Sequence, residues 1–121
     1  MASVWLAKNP PKIENYDVYT VRVTYYWGHK ETATGAKPVC GKTAAVDPKI
    51  IPYGSRIRIP EMDGMTFIAQ DTGPAVVKKT ASKMLGKDNL VVDIFCKDKY
   101  IAQKRIKDYP MFMKIKVYKN S

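Results

Sequence analysis

The chain is predicted to be mainly β, a small barrel of about six short strands with one or two short helices. Three observations carry that expectation. Apolar and polar residues alternate with a period of two in several separate runs. Turn residues punctuate those runs at short intervals, as at Pro52-Tyr53-Gly54 and Asp63-Gly64. Only two stretches, both short, have a helical pattern.

The elements follow in order. Residues 8–15 are rich in turn formers and read as an arm, so residues 1–17 are separated from a domain over 18–121. In Val18–Trp27, Val21, Val23 and Tyr25 alternate with Arg22, Thr24 and Tyr26, which is strand periodicity. Residues 28–38 contain Gly28, Gly35 and Pro38 and read as a loop. Val39–Val46 is a second candidate strand, closed by Asp47-Pro48. Ser55–Ile59 alternates cleanly, Asp63-Gly64 signals a hairpin, and Met65–Gln70 is the return strand. Thr80–Leu85 fits a helix that Gly86 stops. Val91–Phe95 is an apolar run around one acid. Lys97–Ile106 fits a short helix, and Met111–Tyr118 closes the domain as a strand.

Composition narrows the class. The 121 residues suit one domain, and 45% hydrophobic with 26% charged is ordinary globular usage. No apolar run approaches the ~18 residues of a membrane span. The net charge is +10, and residues 97–121 hold eight of the 21 basic residues but two of the 11 acids. Such a surface favours polyanions, whether nucleic acid, anionic membrane or wall polymer. No base-reading motif supports nucleic acid. The two cysteines, Cys40 and Cys96, cannot make a disulfide-dense scaffold; reduced, mostly buried thiols and a single bridge are the two readings. With one histidine, His29, and no CxxC pair, no zinc cluster is expected, and no cofactor fingerprint is present. Met1–Lys8 lacks the charged and apolar regions of a secretory signal.

That leaves the acids. Asp47 stands between Val46 and Pro48, Asp71 opens Asp-Thr-Gly-Pro at a strand end, and Asp93 lies inside Val-Val-Asp-Ile-Phe. A carboxylate in an apolar strand is costly unless hydrogen-bonded or protonated, and burial raises its pKa into the range of a general acid. An outward-facing strand residue for Asp93, and a turn-forming residue for Asp71, are the structural alternatives.

Five ordered motifs then resemble a known family: Val23-Thr-Tyr-Tyr-Trp27, Thr32-Ala-Thr-Gly35, Gly41 through Ser55, Ala69-Gln-Asp71-Thr-Gly73 and Val92-Asp93-Ile-Phe95. Together they are similar to the 3D domain, named for three aspartates and found in MltA-type lytic transglycosylases and Gram-positive wall enzymes. The resemblance covers residues 20–118 and implies a double-psi β-barrel. It implies cleavage of the β-1,4 bond between N-acetylmuramic acid and N-acetylglucosamine in peptidoglycan, with a 1,6-anhydro product and without a metal or other cofactor. By motif, Asp93 is the principal acid/base, Asp71 its partner and Asp47 the third aspartate. Thr34, Gly35, Thr72 and Gly73 shape the cleft, with Tyr26 and Lys42 on the substrate side.

Asp71 and Asp93 stand 22 residues apart, wider than is usual in that family. Residues 79–89 are therefore expected to form a loop or short helix beside the site. Of the consecutive aromatics Tyr25, Tyr26 and Trp27, one set should pack in the core and the other could stack on a sugar ring. The partners implied are glycan strands and anionic wall polymers, with no nucleic acid and no stable membrane insertion, for a monomer. Release through a phage holin, virion delivery, or an origin as a trimmed secreted domain would each bring it to the wall. A non-catalytic, expansin-like polysaccharide binder is the rival reading.

Overall fold

The computed structural model describes residues 15–119, so the proposed arm lies largely outside the described residues. Six strands close into one mixed barrel in the order β1-β5-β2-β4-β3-β6. They are β1 (Asp17–Tyr26), β2 (Thr43–Ala45), β3 (Arg56–Ile59), β4 (Met65–Asp71), β5 (Val91–Phe95) and β6 (Phe112–Tyr118). β1 pairs with β5, and β2 with β4, in parallel; the other neighbours are antiparallel. The expectation of a mainly β, six-stranded barrel is met.

Strand alternation fills the interior. Val21 and Val23 from β1, Ile57 and Ile59 from β3, Phe67 and Ala69 from β4, Val92 and Ile94 from β5, and Met113, Ile115 and Val117 from β6 form one buried cluster. Each large side chain there contributes roughly 1.5–3 kcal/mol by leaving water. Closure removes the long open edges that a flat sheet would present.

Some boundaries differ from the sequence reading. Val39–Val46 is a strand only at Thr43–Ala45, because the N–H groups of Lys42 and Thr43 both turn back to the Val39 carbonyl. Gly41 supplies the positive φ, +82°, that this turn needs. Three short helices are present where one or two were expected: α1 (Pro74–Val77), α2 (Thr80–Lys83) and α3 (Lys99–Asp108). The unforeseen α1 starts at Pro74, whose fixed φ suits a first helical turn. α3 begins two residues later than its pattern suggests because the Asp98 carboxylate caps it, accepting from the Ile101 N–H at 2.9 Å. Cys40 is exposed, Cys96 is buried, and both are free thiols. No helix among the described residues is long and apolar enough to cross a membrane.

Charge is also segregated around the barrel. On the outer face, Arg58 of β3 lies directly across from Lys116 of β6, with Arg56 and Lys114 nearby. Like charges in a cross-strand pair repel. None of these four takes part in an ion pair among the described residues. The acids discussed next lie on β4 and β5.

Candidate active site

The site is built on the outer face of β1, β5, β2 and β4. Thr24 pairs with Asp93, Asp93 with Ala45, and Ala45 with Asp71, so one row crosses four strands. Adjacent strands lie about 4.8 Å apart, which sets the two aspartate backbones roughly 10 Å apart across β2. Side-chain parity explains Asp93: Val92 and Ile94 point into the barrel, so Asp93 points out.

Parity alone would send Asp71 inward, in phase with Phe67 and Ala69. A register shift between Ala44 and Ala45 prevents this. Ala44 opposes Ala69, but Ala45 opposes Asp71 instead of Gln70. Such a bulge re-aims the side chains beyond it. Here it turns Asp71 onto the face that carries Tyr26 and Asp93.

Asp71 is buried and heavily hydrogen-bonded. Its Oδ2 accepts from the Tyr26 hydroxyl at 2.9 Å. Its Oδ1 accepts from the N–H groups of Ala33, at 2.8 Å, and Thr72, at 2.9 Å. The Thr34 hydroxyl donates to the Gln70 carbonyl at 2.8 Å, so the loop 32–36 is tied to the end of β4 at two points. Gly35 makes the loop possible with φ of +85°. The Asp71 carboxylate, the Tyr26 ring and this loop therefore form one fixed wall.

Asp93 is held more loosely. One of its oxygens, Oδ1, accepts from the Thr24 hydroxyl at 2.9 Å. Burial pushes its carboxyl up from the ordinary 3.8 to about 6; the Thr24 hydrogen bond and His29 oppose the rise, and the Asp71 charge adds to it. The source of the burial is local. Ala45, Val76 and Val91 form a second apolar cluster outside the barrel, joined by Tyr26 and Ala81. Val91 lies two residues before Asp93 on the same face, and Val76 comes from α1. The long segment between Asp71 and Asp93 thus folds back over β5 as α1 and α2. Ser82 pins it by donating to the Asn89 carbonyl at 2.8 Å.

The other expected residues are distributed unevenly. Asp47 lies two residues past β2, and its Oδ1 accepts from the Lys49 N–H at 3.0 Å, a local turn. It has no hydrogen bond to Asp71 or Asp93, although the adjacent Val46 N–H donates to the Asp71 carbonyl at 2.9 Å. Lys42 is exposed just before β2. The Thr72 hydroxyl is buried without a hydrogen-bond partner, next to the Asp71 carboxylate. At Gly73 the backbone is extended, and space is open where a Cβ would stand. Tyr25 packs against the core, while Tyr26 is on the site face and meets Phe95 and His29 edge-on at 5.4 and 5.3 Å.

Two neighbours of the acid were not singled out from sequence. Thr24 reads there as one polar member of an alternating strand. His29 reads as a loop residue, and its closeness to Asp93 comes only from the turn at Gly28. Among the described residues no three His, Cys, Asp or Glu side chains gather as a metal site would. No protein-family model matches the chain, and no curated protein matches it.

Proposed function

We propose that the chain is a peptidoglycan lytic transglycosylase of the 3D type, with a double-psi barrel and with Asp93 as the single acid/base. The observation that carries this reading is the unequal environment of the two carboxyls. Asp93 has one hydrogen bond and a pKa raised to about 6 by burial. Asp71 already accepts three hydrogen bonds. Its lone pairs are largely committed, so it is a poor nucleophile or water base. A hydrolase of the usual kind needs two working carboxylates. A transglycosylase can use one of them twice.

The steps balance. Protonated Asp93 gives its proton to the glycosidic oxygen as that oxygen leaves with N-acetylglucosamine. An oxocarbenium-like centre forms at C1 of the muramic ring. The Asp93 carboxylate then takes the proton of the muramic C6 hydroxyl, whose oxygen closes on C1 as the 1,6-anhydro end. Asp93 finishes protonated and ready for another cycle. Asp71 is a positioning and electrostatic partner. Its charge favours the protonated form of Asp93, and its bonds hold Tyr26 and the 32–36 loop at the groove.

In this reading Thr34, Gly35, Thr72 and Gly73 line the cleft, Lys42 and Tyr26 flank the sugar, and Asp47 shapes the turn after β2. Release through a phage holin, virion delivery, or an origin as a trimmed secreted domain would each bring it to the wall. The test is mass spectrometry of digested wall. Wild-type protein should release new muropeptides with anhydro ends, and Asp93→Asn, folded normally, should release none. Reducing ends would mean hydrolysis instead. A wild-type chain that binds wall but releases nothing would be a polysaccharide-binding barrel.

A further inference from the structure

Pairing of β1 with β6 stops short of the end of β1. Antiparallel pairing of β1 with β6 runs from Asp17 to Arg22 and ends with the Val23 N–H donating to the Met111 carbonyl at 2.8 Å. Beyond that point the partner strand is lost. Tyr109, which would come opposite Tyr25 in this register, is instead the C-cap of α3, its own N–H bonded to the Arg105 carbonyl. On β1, the even residues bond toward β5, as shown by Arg22 to Leu90 and by Cys96 to Tyr26. The Val23 carbonyl and the Tyr25 N–H therefore point the other way, to the gap. Neither has a hydrogen-bond partner among the described residues.

The gap opens on a cleft of about 190 Å³. Ile106, Tyr109, Pro110 and Met111 form its apolar side, and Arg22 and Thr24 lie along β1. Two cations stand at this end. Arg22 and Lys87 both pack over the Phe112 ring, at 5.9 and 5.6 Å from its centre. The Nε of Arg22 and the hydroxyl of Tyr25 are buried with no partner. An unpaired strand edge offers an extended peptide one donor and one acceptor, and neighbouring pockets select its side chains. The cations select a carboxylate.

Thr24 joins this cleft to the acid. It lines the cleft, and its hydroxyl donates to Asp93. We infer that the open edge of β1 at Val23–Tyr25 binds the carboxylate-bearing peptide side chain of the wall polymer, while the glycan lies at Asp93. The inference rests on the wall-cleaving reading for the source of the peptide. Its consequence is a preference for strands that keep their peptides over strands stripped of them.

The test is an NMR titration of the full chain carrying Asp93→Asn, read at the backbone amides. The probe is a synthetic alanyl-γ-glutamyl-lysyl-alanyl-alanine pentapeptide without sugar. Saturable shifts at Tyr25 and Met111 are expected, with affinity falling about tenfold in Arg22→Ala and when the probe's carboxylates are amidated. Ile106→Trp, at an exposed position, should block binding by filling the cleft. No shifts at Tyr25, or shifts confined to the Asp71–Asp93 face, would overturn the inference. A second titration with peptide-free glycan oligosaccharide separates the two ideas. If the sugar moves Asp93's neighbours but the peptide does not bind, the cleft assignment fails alone. If the peptide binds and the sugar does not, the wall-cleaving site fails alone.

Discussion

Replacing Asp93 with Asn should stabilise the fold at neutral pH, by an amount set by the acid's environment. Burial raises the Asp93 carboxyl from 3.8 to about 6. A carboxyl whose pKa is higher in the folded state binds more protons folded than unfolded between those two values. Stability therefore falls as pH rises through that window, and the full penalty is present above about 6. Two pKa units correspond to about 3 kcal/mol, an upper figure because Asp93 is only partly buried. Asparagine avoids this penalty and can still accept the Thr24 hydrogen bond. Relative to wild type, Asp93→Asn should gain up to about 3 kcal/mol at pH 8, with most of that gain absent at pH 4. In a domain of this size that is roughly 10 °C in Tm. Urea unfolding of both proteins at several pH values measures it. A stability difference that stays flat from pH 4 to 8, or one that favours wild type at pH 8, would refute the argument.

Other expectations follow from the same geometry. The rate of wall cleavage, which needs protonated Asp93, should fall about tenfold per pH unit above about 6; in Thr24→Val, which loses a bond favouring the carboxylate, the alkaline limb should move up by about one unit. Tyr26→Phe removes one of three donors to the buried Asp71 and should cost about 2 kcal/mol in chemical unfolding, with a loosened 32–36 loop visible as faster amide exchange at Ala33. Arg58→Glu with Lys116→Glu should weaken sedimentation with whole wall sacculi, most clearly at low salt, because both cations leave the β3–β6 face; unchanged binding would mean that this face does not meet the wall. Labelling with a thiol reagent should modify Cys40 in the native protein and reach Cys96 only on unfolding, since one is exposed and the other buried.

Much of the barrel was legible because strand periodicity is a local property. The runs around Val21, Ile57, Phe67, Val92 and Ile115 each announce an inner and an outer face, and hydrophobic burial enforces that choice once the sheet closes. For Asp93 the sequence left a buried acid and an outward-facing one both open, and the burial of Val92 and Ile94 inside the barrel decides for the outer face. The helix near residue 100 was legible from its spacing, and its start was set by one capping side chain, Asp98.

The tertiary structure decided what depends on register. Nothing local marks the shift between Ala44 and Ala45, yet that one extra residue carries Asp71 from the inward phase to the outer face. The pairing of Thr24 with Asp93 needs β1 and β5 to lie parallel, a choice made by closure across 69 residues. The desolvation of Asp93 needs Val76, brought over β5 by a segment whose sequence shows only turn and weak helix signals. The open edge at Tyr25 exists because Tyr109, which the β1–β6 register would set opposite it, is held as the cap of α3, far away in sequence. The sequence by itself determined which residues seek the interior. Contacts between distant strands determined which polar groups share a surface, because hydrogen-bond register is settled between strands and not within them.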